Sequence, residues 1–156
     1  MSKLKFVSLG VSEYNIYSST AIIESGNQVV AMISMPKHAR PNNSSDIAFY
    51  AKQHDIFYHE LEDIHSLEAL DLLRKYEPDY IFVSWHKIIE TDVLNIPKYF
   101  CIGSHPSNLP YNRGRHPLHW IIALGIQETK LSFIRLDEGI DTGNILLQVP
   151  FTVTTD

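Results

Sequence analysis

Apolar positions along this chain fall into two rhythms. Short apolar runs bounded by turn residues predict strands at LKFVSLG (4–10), QVVAMISM (28–35), HDIFYHE (54–60), DYIFVSW (79–85) and YFCIGS (99–104). KLSFIRLD (130–137) alternates Leu131, Phe133 and Arg135 against Ser132, Ile134 and Leu136, which suits a strand, and NILLQVPFTV (144–153) reads as another. Helical spacing lies between them. Ile16, Ala21, Ile22 and Ile23 predict a helix over 16–25, stopped by Gly26. Asp46 caps a helix over 47–53. Ser66 caps the next, in which Leu67, Leu70, Leu72 and Leu73 share the apolar load before Pro78 stops it. ETDVLNI (90–96) predicts a short helix ended by Pro97, and HPLHWIIALG (116–125) a longer one stopped by Gly125. PKHARPNNSS (36–45) has two prolines and no apolar period, so it predicts a loop.

Strands alternating with helices predict an α/β architecture. The expected fold is Rossmann-like, a mainly parallel twisted sheet flanked by helices, spanning residues 1–156 as one domain. In such sheets the ligand crevice lies beyond the carboxyl ends of the strands. The stretch GSHPSNLPYNRGRHPLHW (103–120) begins at such an end.

Composition narrows the picture. Hydrophobic residues are 44% and charged residues 20% of 156, ordinary for a globular chain. A net charge of −5 argues against a large nucleic-acid footprint. The apolar runs are short, IFV at 81–83 and WIIAL at 120–124, so no membrane span is expected. The N-terminus lacks the apolar region and cleavage site of a signal peptide, and a single cysteine, Cys101, excludes an internal disulfide framework. Together these favour the cytoplasm.

Candidate chemistry concentrates in two places. His105 precedes Pro106, which biases it toward extended backbone, and Pro110 does the same for Leu109. A stiff loop holding an imidazole suits proton transfer near neutral pH. A structural histidine in a proline-rich loop fits the same pattern. In LDEGIDTGNIL, Asp137, Gly139, Asp141 and Gly143 alternate between two strands, with the glycines allowing positive φ and the carboxylates facing a cleft. Asp141 beside an imidazole would fix its tautomer. An ordinary acidic turn is the alternative. Arg113 and Arg115 flank Gly114 ahead of a helix, either as anion-binding guanidinium groups or as a solvated turn. His116 and His119 have H-x-x-H spacing, but without an HExxH pattern or a second cysteine no metal is expected. GVSEYNIYS, after the first strand, is neither G-x-G-x-x-G nor a P-loop, which speaks against a dinucleotide-dependent oxidoreductase.

The stretch IPKYFCIGSHPSNLPYNRGRHPLHWIIALG, followed by LSFIRLDEGIDTGNILLQ, resembles the catalytic domain of folate-dependent formyltransferases. The family pattern is roughly N-x-H-P-S-x-L-P-x-x-R-G, a helix, then D-x-G-x-D-T-G-x-I-L, and the match covers about residues 79–150. The resemblance implies that His105 and Asp141 are catalytic. It places Lys87, Ile88 and Ile89 of WHKIIETDVLNIP in the segment whose backbone holds the pterin ring, with Asp137 also toward the cofactor. It implies N10-formyltetrahydrofolate as formyl donor.

This chain departs from that pattern at two points. The family's Asn, two positions before the His, is Gly103 here. That Asn donates to the developing oxyanion, and losing such a donor costs on the order of 3 kcal/mol of transition-state stabilisation. Asn108, where the family has an apolar residue, and Asn112 are candidate replacement amides. The second departure is the end at FTVTTD, where the family continues into a further helix, so a fold truncated at the C-terminus is expected. An uncovered sheet edge favours self-association, hence a homo-oligomer.

The acceptor is read by elimination. A glycine-rich phosphate loop follows the first strand in the glycinamide ribonucleotide branch and is absent here. Residues 36–45 lack the long basic loop that grips tRNA in the methionyl-tRNA branch. A small-molecule amine, an amino sugar linked to a nucleoside diphosphate, remains, with Asn108, Arg113, Arg115, Tyr14, Tyr17 and Tyr111 available to contact it. Hydrolysis of formyltetrahydrofolate, with water as acceptor, a methionyl-tRNA formyltransferase-type activity, and a non-catalytic binding domain are the alternatives.

Overall fold

The structure is a computed structural model that describes residues 2–154. The ends of the expected 1–156 domain, Met1, Thr155 and Asp156, lie outside the described residues. The chain divides into two compact units, Met1–Cys101 and Ile102–Asp156.

The first unit is built on parallel strands. β1 (Lys5–Gly10) pairs with β2 (Gln28–Ser34) on one side and β4 (Tyr80–Ser84) on the other, and β2 pairs with β3 (Phe57–Glu60). The order β3-β2-β1-β4 therefore turns back at β1. Parallel strands buried on both faces read as continuous apolar runs, which is why Val7, Leu9, Met32, Ile33 and Ile81 are all fully buried. α1 (Glu13–Glu24) packs on β1 and β2, and α2 (Ile47–Gln53) packs on β2, β3 and α1. α3 (Leu67–Lys75) and α4 (Thr91–Leu94) complete the unit.

Local signals explain the helix ends. The Asp46 side chain accepts from the Phe49 N–H at 2.9 Å, and the Ser66 hydroxyl from the Ala69 N–H at 3.2 Å, as their sequence positions predict. α1 begins three residues earlier than its apolar spacing indicates. Asn15 accounts for this: its Oδ1 takes the Ser12 N–H, and its Nδ2 donates to the Leu9 carbonyl at 2.9 Å. Gly26 ends the helix at φ 86°, in the left-handed region open to glycine. The 36–45 loop holds a single 3-10 turn, Lys37–Ala39.

The second unit starts within β5 (Phe100–His105), whose last four residues belong to it. β6 (Glu128–Arg135) pairs antiparallel with β5 and with β7 (Ile145–Thr152). α5 (Pro117–Ala123) lies between β5 and β6 in sequence and buries Ile121. The core here is thin. Leu109, Ile121 and Ile134 are buried, whereas Leu146, Leu147 and Val149 of β7 and Trp120 and Ile122 of α5 are exposed. No helix among the described residues is long and apolar enough to cross a membrane.

Candidate active site

His105 is the last residue of β5, opposite Ser132 of β6, and is only 6% exposed. Beyond it the chain turns tightly. The Ser107 N–H donates to the His105 carbonyl at 2.9 Å, and the Ser107 hydroxyl to the Tyr111 carbonyl at 2.8 Å. The loop therefore curls back over the strand end and brings the Asn112 carbonyl to 2.8 Å from His105 Nε2. On the other side of the ring, Nδ1 lies 3.5 Å from Asp141 Oδ2. Both ring nitrogens face acceptors, and the protonated ring offers each of them an N–H.

Asp141 is itself held. Its Oδ2 accepts the Gly114 N–H at 2.8 Å, and its backbone carbonyl accepts from Arg113 Nε at 3.0 Å. The 112–114 segment thus spans both residues, reaching His105 through a carbonyl and Asp141 through an amide. Asn112 and Asp141 both adopt left-handed backbone, φ 57° and 53°, which their side chains tolerate better than most.

The glycines of the acidic turn work differently from the expectation. Gly139 and Gly143 do not adopt positive φ; Asp141 does. What the two glycines supply is room. A Cβ on Gly143 would sit 1.6 Å from the Arg135 carbonyl oxygen, and one on Gly139 would sit 2.0 Å from Thr142 Oγ1. Asp137 Oδ1 folds this turn, accepting from the Gly139 N–H at 3.0 Å and the Thr142 hydroxyl at 2.7 Å.

Gly103 is also explained by packing. It pairs with Ile134 across β5 and β6, and a Cβ there would lie 2.5 Å from Leu136 Cδ2. Leu136 occupies the space that an Asn side chain would enter. Asn108 is half-buried, and its carbonyl accepts the Tyr111 N–H at 3.0 Å; its amide makes no hydrogen bond among the described residues. Arg113 is engaged by Asp141, while Arg115 is exposed and without an ion pair among the described residues. His116 precedes α5 and stacks edge-on with His119 at 5.3 Å between ring centroids. Of the tyrosines, Tyr17 and Tyr111 are exposed, and Tyr14 rests against Phe82.

Lys87, Ile88 and Ile89 lie in the first unit, in the connection between β4 and α4. Ile89 is buried and Ile88 exposed. Among the described residues, the Lys87 and Ile89 backbones and the Ile88 N–H have no protein partner, leaving a row of donors and acceptors open. The Ile88 carbonyl is reached by His65 Nε2 at 3.4 Å. The other nitrogen of that ring, Nδ1, is 2.7 Å from Asp92 Oδ1. Burial pushes the Asp92 carboxyl up, but hydrogen bonds from His65 and the Val93 N–H outweigh it, so its pKa is lowered. This pair was not legible in the sequence, because 26 positions separate two ordinary-looking residues. Cys101 is buried, and burial pushes its thiol up to about 12, which removes it as a nucleophile.

A strand-end imidazole beside a carboxylate is an arrangement with the chemistry to move a proton near neutral pH. The formyl transferase family matches residues 11–156, and the chain belongs to it. A methionyl-tRNA formyltransferase from Pelotomaculum thermopropionicum is 32% identical over 158 residues, covering 98% of this chain and 50% of that protein. The chain spans about half the length of the curated relatives it matches. Among solved structures, a phosphoribosylglycinamide formyltransferase from Bacillus halodurans superposes with a TM-score of 0.80 at 18% identity, over 97% of this chain and 81% of that one. A formyltetrahydrofolate deformylase from Pseudomonas syringae gives 0.78 at 18% identity, over 99% of this chain and 53% of that one. These likenesses establish the fold, and the expected Rossmann-like formyltransferase architecture is borne out.

Proposed function

We propose that this chain transfers a formyl group from N10-formyltetrahydrofolate to a primary amine. The observation that carries the reading is His105, buried at a strand end and held between the Asn112 carbonyl and the Asp141 carboxylate. The donor supplies an activated formyl carbon. The open backbone of Lys87–Ile89 suits a pterin ring, whose edge alternates donors and acceptors. His105 takes the proton released when the amine nitrogen bonds to the formyl carbon, or donates to the oxygen that gains negative charge. The bond to N10 breaks, and N10 ends protonated. Asp141 holds the ring in register. The Asn112 carbonyl must leave Nε2 for the ring to meet substrate, so the 112–114 segment moves during turnover in this reading.

An amino sugar linked to a nucleoside diphosphate is our choice of acceptor, with Asn108, Arg113, Arg115 and Tyr111 as its contacts. Two observations favour a small acceptor over tRNA. Residues 36–45 are short and folded back, with Arg40 bonded to Tyr58, Glu60 and the Met35 carbonyl rather than free for phosphate. The net charge is −5. Glycinamide ribonucleotide is disfavoured because GVSEYNIYS, after β1, is not the glycine-rich phosphate loop of that branch. The exposed apolar side chains of β7 and α5 support self-association, and the composition supports a cytoplasmic site of action.

The test is tetrahydrofolate release from the donor with nucleotide-linked amino sugars, methionyl-tRNA, glycinamide ribonucleotide, or no acceptor. Release that depends on an amino sugar and vanishes in H105N is expected. Release without any acceptor would replace transfer by hydrolysis, and release with methionyl-tRNA alone would replace the sugar.

A further inference from the structure

We propose that Gln148 is a positioning residue for His105, acting through the 106–112 loop. Gln148 lies on β7, opposite Ser132, and Ser132 lies opposite His105 across the next pair of strands. The Gln148 amide is fully oriented. Its Oε1 accepts from Lys130 Nζ at 3.5 Å, which turns Nε2 the other way. Nε2 then donates to the Leu109 carbonyl at 3.1 Å and to the Ser132 hydroxyl at 2.9 Å. Ser132, fully buried, passes its own hydrogen to the Ser107 carbonyl at 2.7 Å and accepts the Leu109 N–H at 3.4 Å. Ser107, also fully buried, closes the loop onto the Tyr111 carbonyl. The next residue is Asn112, whose carbonyl holds His105 Nε2.

A path of hydrogen bonds, completed by the chain link from Tyr111 to Asn112, therefore leads from Gln148 to the carbonyl that meets His105 Nε2. A buried polar network of this kind, with every member satisfied, specifies one arrangement, and losing one member leaves partners unpaired. Three features separate positioning from mere packing. The side chain uses both amide hydrogens, both end on the loop or its anchor, and among the described residues it makes no hydrogen bond to His105 or Asp141. The inference rests on the reading of His105 as the reactive imidazole.

Its test does not need turnover. Chain labelled with 15N at histidine, without ligand, is compared with Q148M and Q148E, and H105N assigns the His105 signals. Q148M keeps the length but removes all three bonds; Q148E keeps the shape and the contact with Lys130 but removes both donors. In the wild type we expect one ordered set of His105 ring signals. In both variants those signals should shift or broaden, while the other histidine signals stay in place. The accompanying kinetics should show kcat altered about tenfold or more with the donor KM unchanged, since the Asn112 carbonyl must leave Nε2 during turnover. Unmoved His105 signals in a folded variant would overturn the proposal. If Q148M does not fold, Q148E and S132A carry the same comparison, since each removes little volume. Wild-type chain that gives the expected signals but no formyl transfer would sink the functional reading and leave the positioning intact. Transfer with unmoved signals would do the reverse.

Discussion

Among the described residues, His65 and His105 each face an aspartate, and the two pairs are built differently. His65 and Asp92 are the closer pair, at 2.7 Å, yet the side chains are 17% and 36% exposed. His105 and Asp141 stand 3.5 Å apart with 7% and 20% exposure. In the first pair the carboxylate bonds the ring directly and also takes its own neighbour's N–H, so it acts as a clasp between α4 and the turn ahead of α3. In the second, each partner is also gripped by the 112–114 segment, at the Asn112 carbonyl and the Gly114 amide. On the proposed function, a short His–Asp distance is a poor guide to reactivity, and burial at a strand end, with partners supplied by a separate segment, is the better one.

The comparison breaks most sharply in activity. H105N or D141N should lower formyl transfer by about 10²- to 10⁴-fold, the usual worth of a positioned proton-transfer group. H65N or D92N should lower it by less than about tenfold and act on the donor KM, because His65 reaches the Ile88 carbonyl and no reacting atom. Equal losses at the two pairs, measured by tetrahydrofolate release, would erase the distinction.

A middling effect is expected at Gly103. G103N drives a side chain into Leu136 and should destabilise the chain by about 1–3 kcal/mol in chemical denaturation. Adding L136A should recover part of that loss, and the two substitutions should be non-additive because they share one space. If G103N alone is neutral, Leu136 does not hold the position closed.

The smallest effect concerns pH. The Asp92 carboxyl is lowered in the folded chain, so its contribution is present above the ordinary carboxylate range and is lost as pH falls through the folded value. D92N should cost no more than about 1 kcal/mol at neutral pH, since water screens a partly exposed pair. The gap between wild type and D92N should shrink on acidification below about pH 4. A gap that widened instead would mean that Asp92 stabilises in its neutral form.

Much of this molecule was written in its linear pattern. Apolar runs located the strands, Asp46 and Ser66 marked helix starts, and Gly26 marked a helix end, because each acts within a turn of the chain. The two motifs around His105 and Asp141 placed the chain in its family. The tertiary structure alone decided how those motifs work. It placed the positive φ on Asp141 and left Gly139 and Gly143 to admit close neighbours. It filled the space beside Gly103 with Leu136, gave Asn15 to the start of α1, and joined His65 to Asp92. It also linked Gln148 through Ser132 and Ser107 to the His105 loop. These contacts join residues that strand register and loop return bring together, and neither leaves a trace in local periodicity.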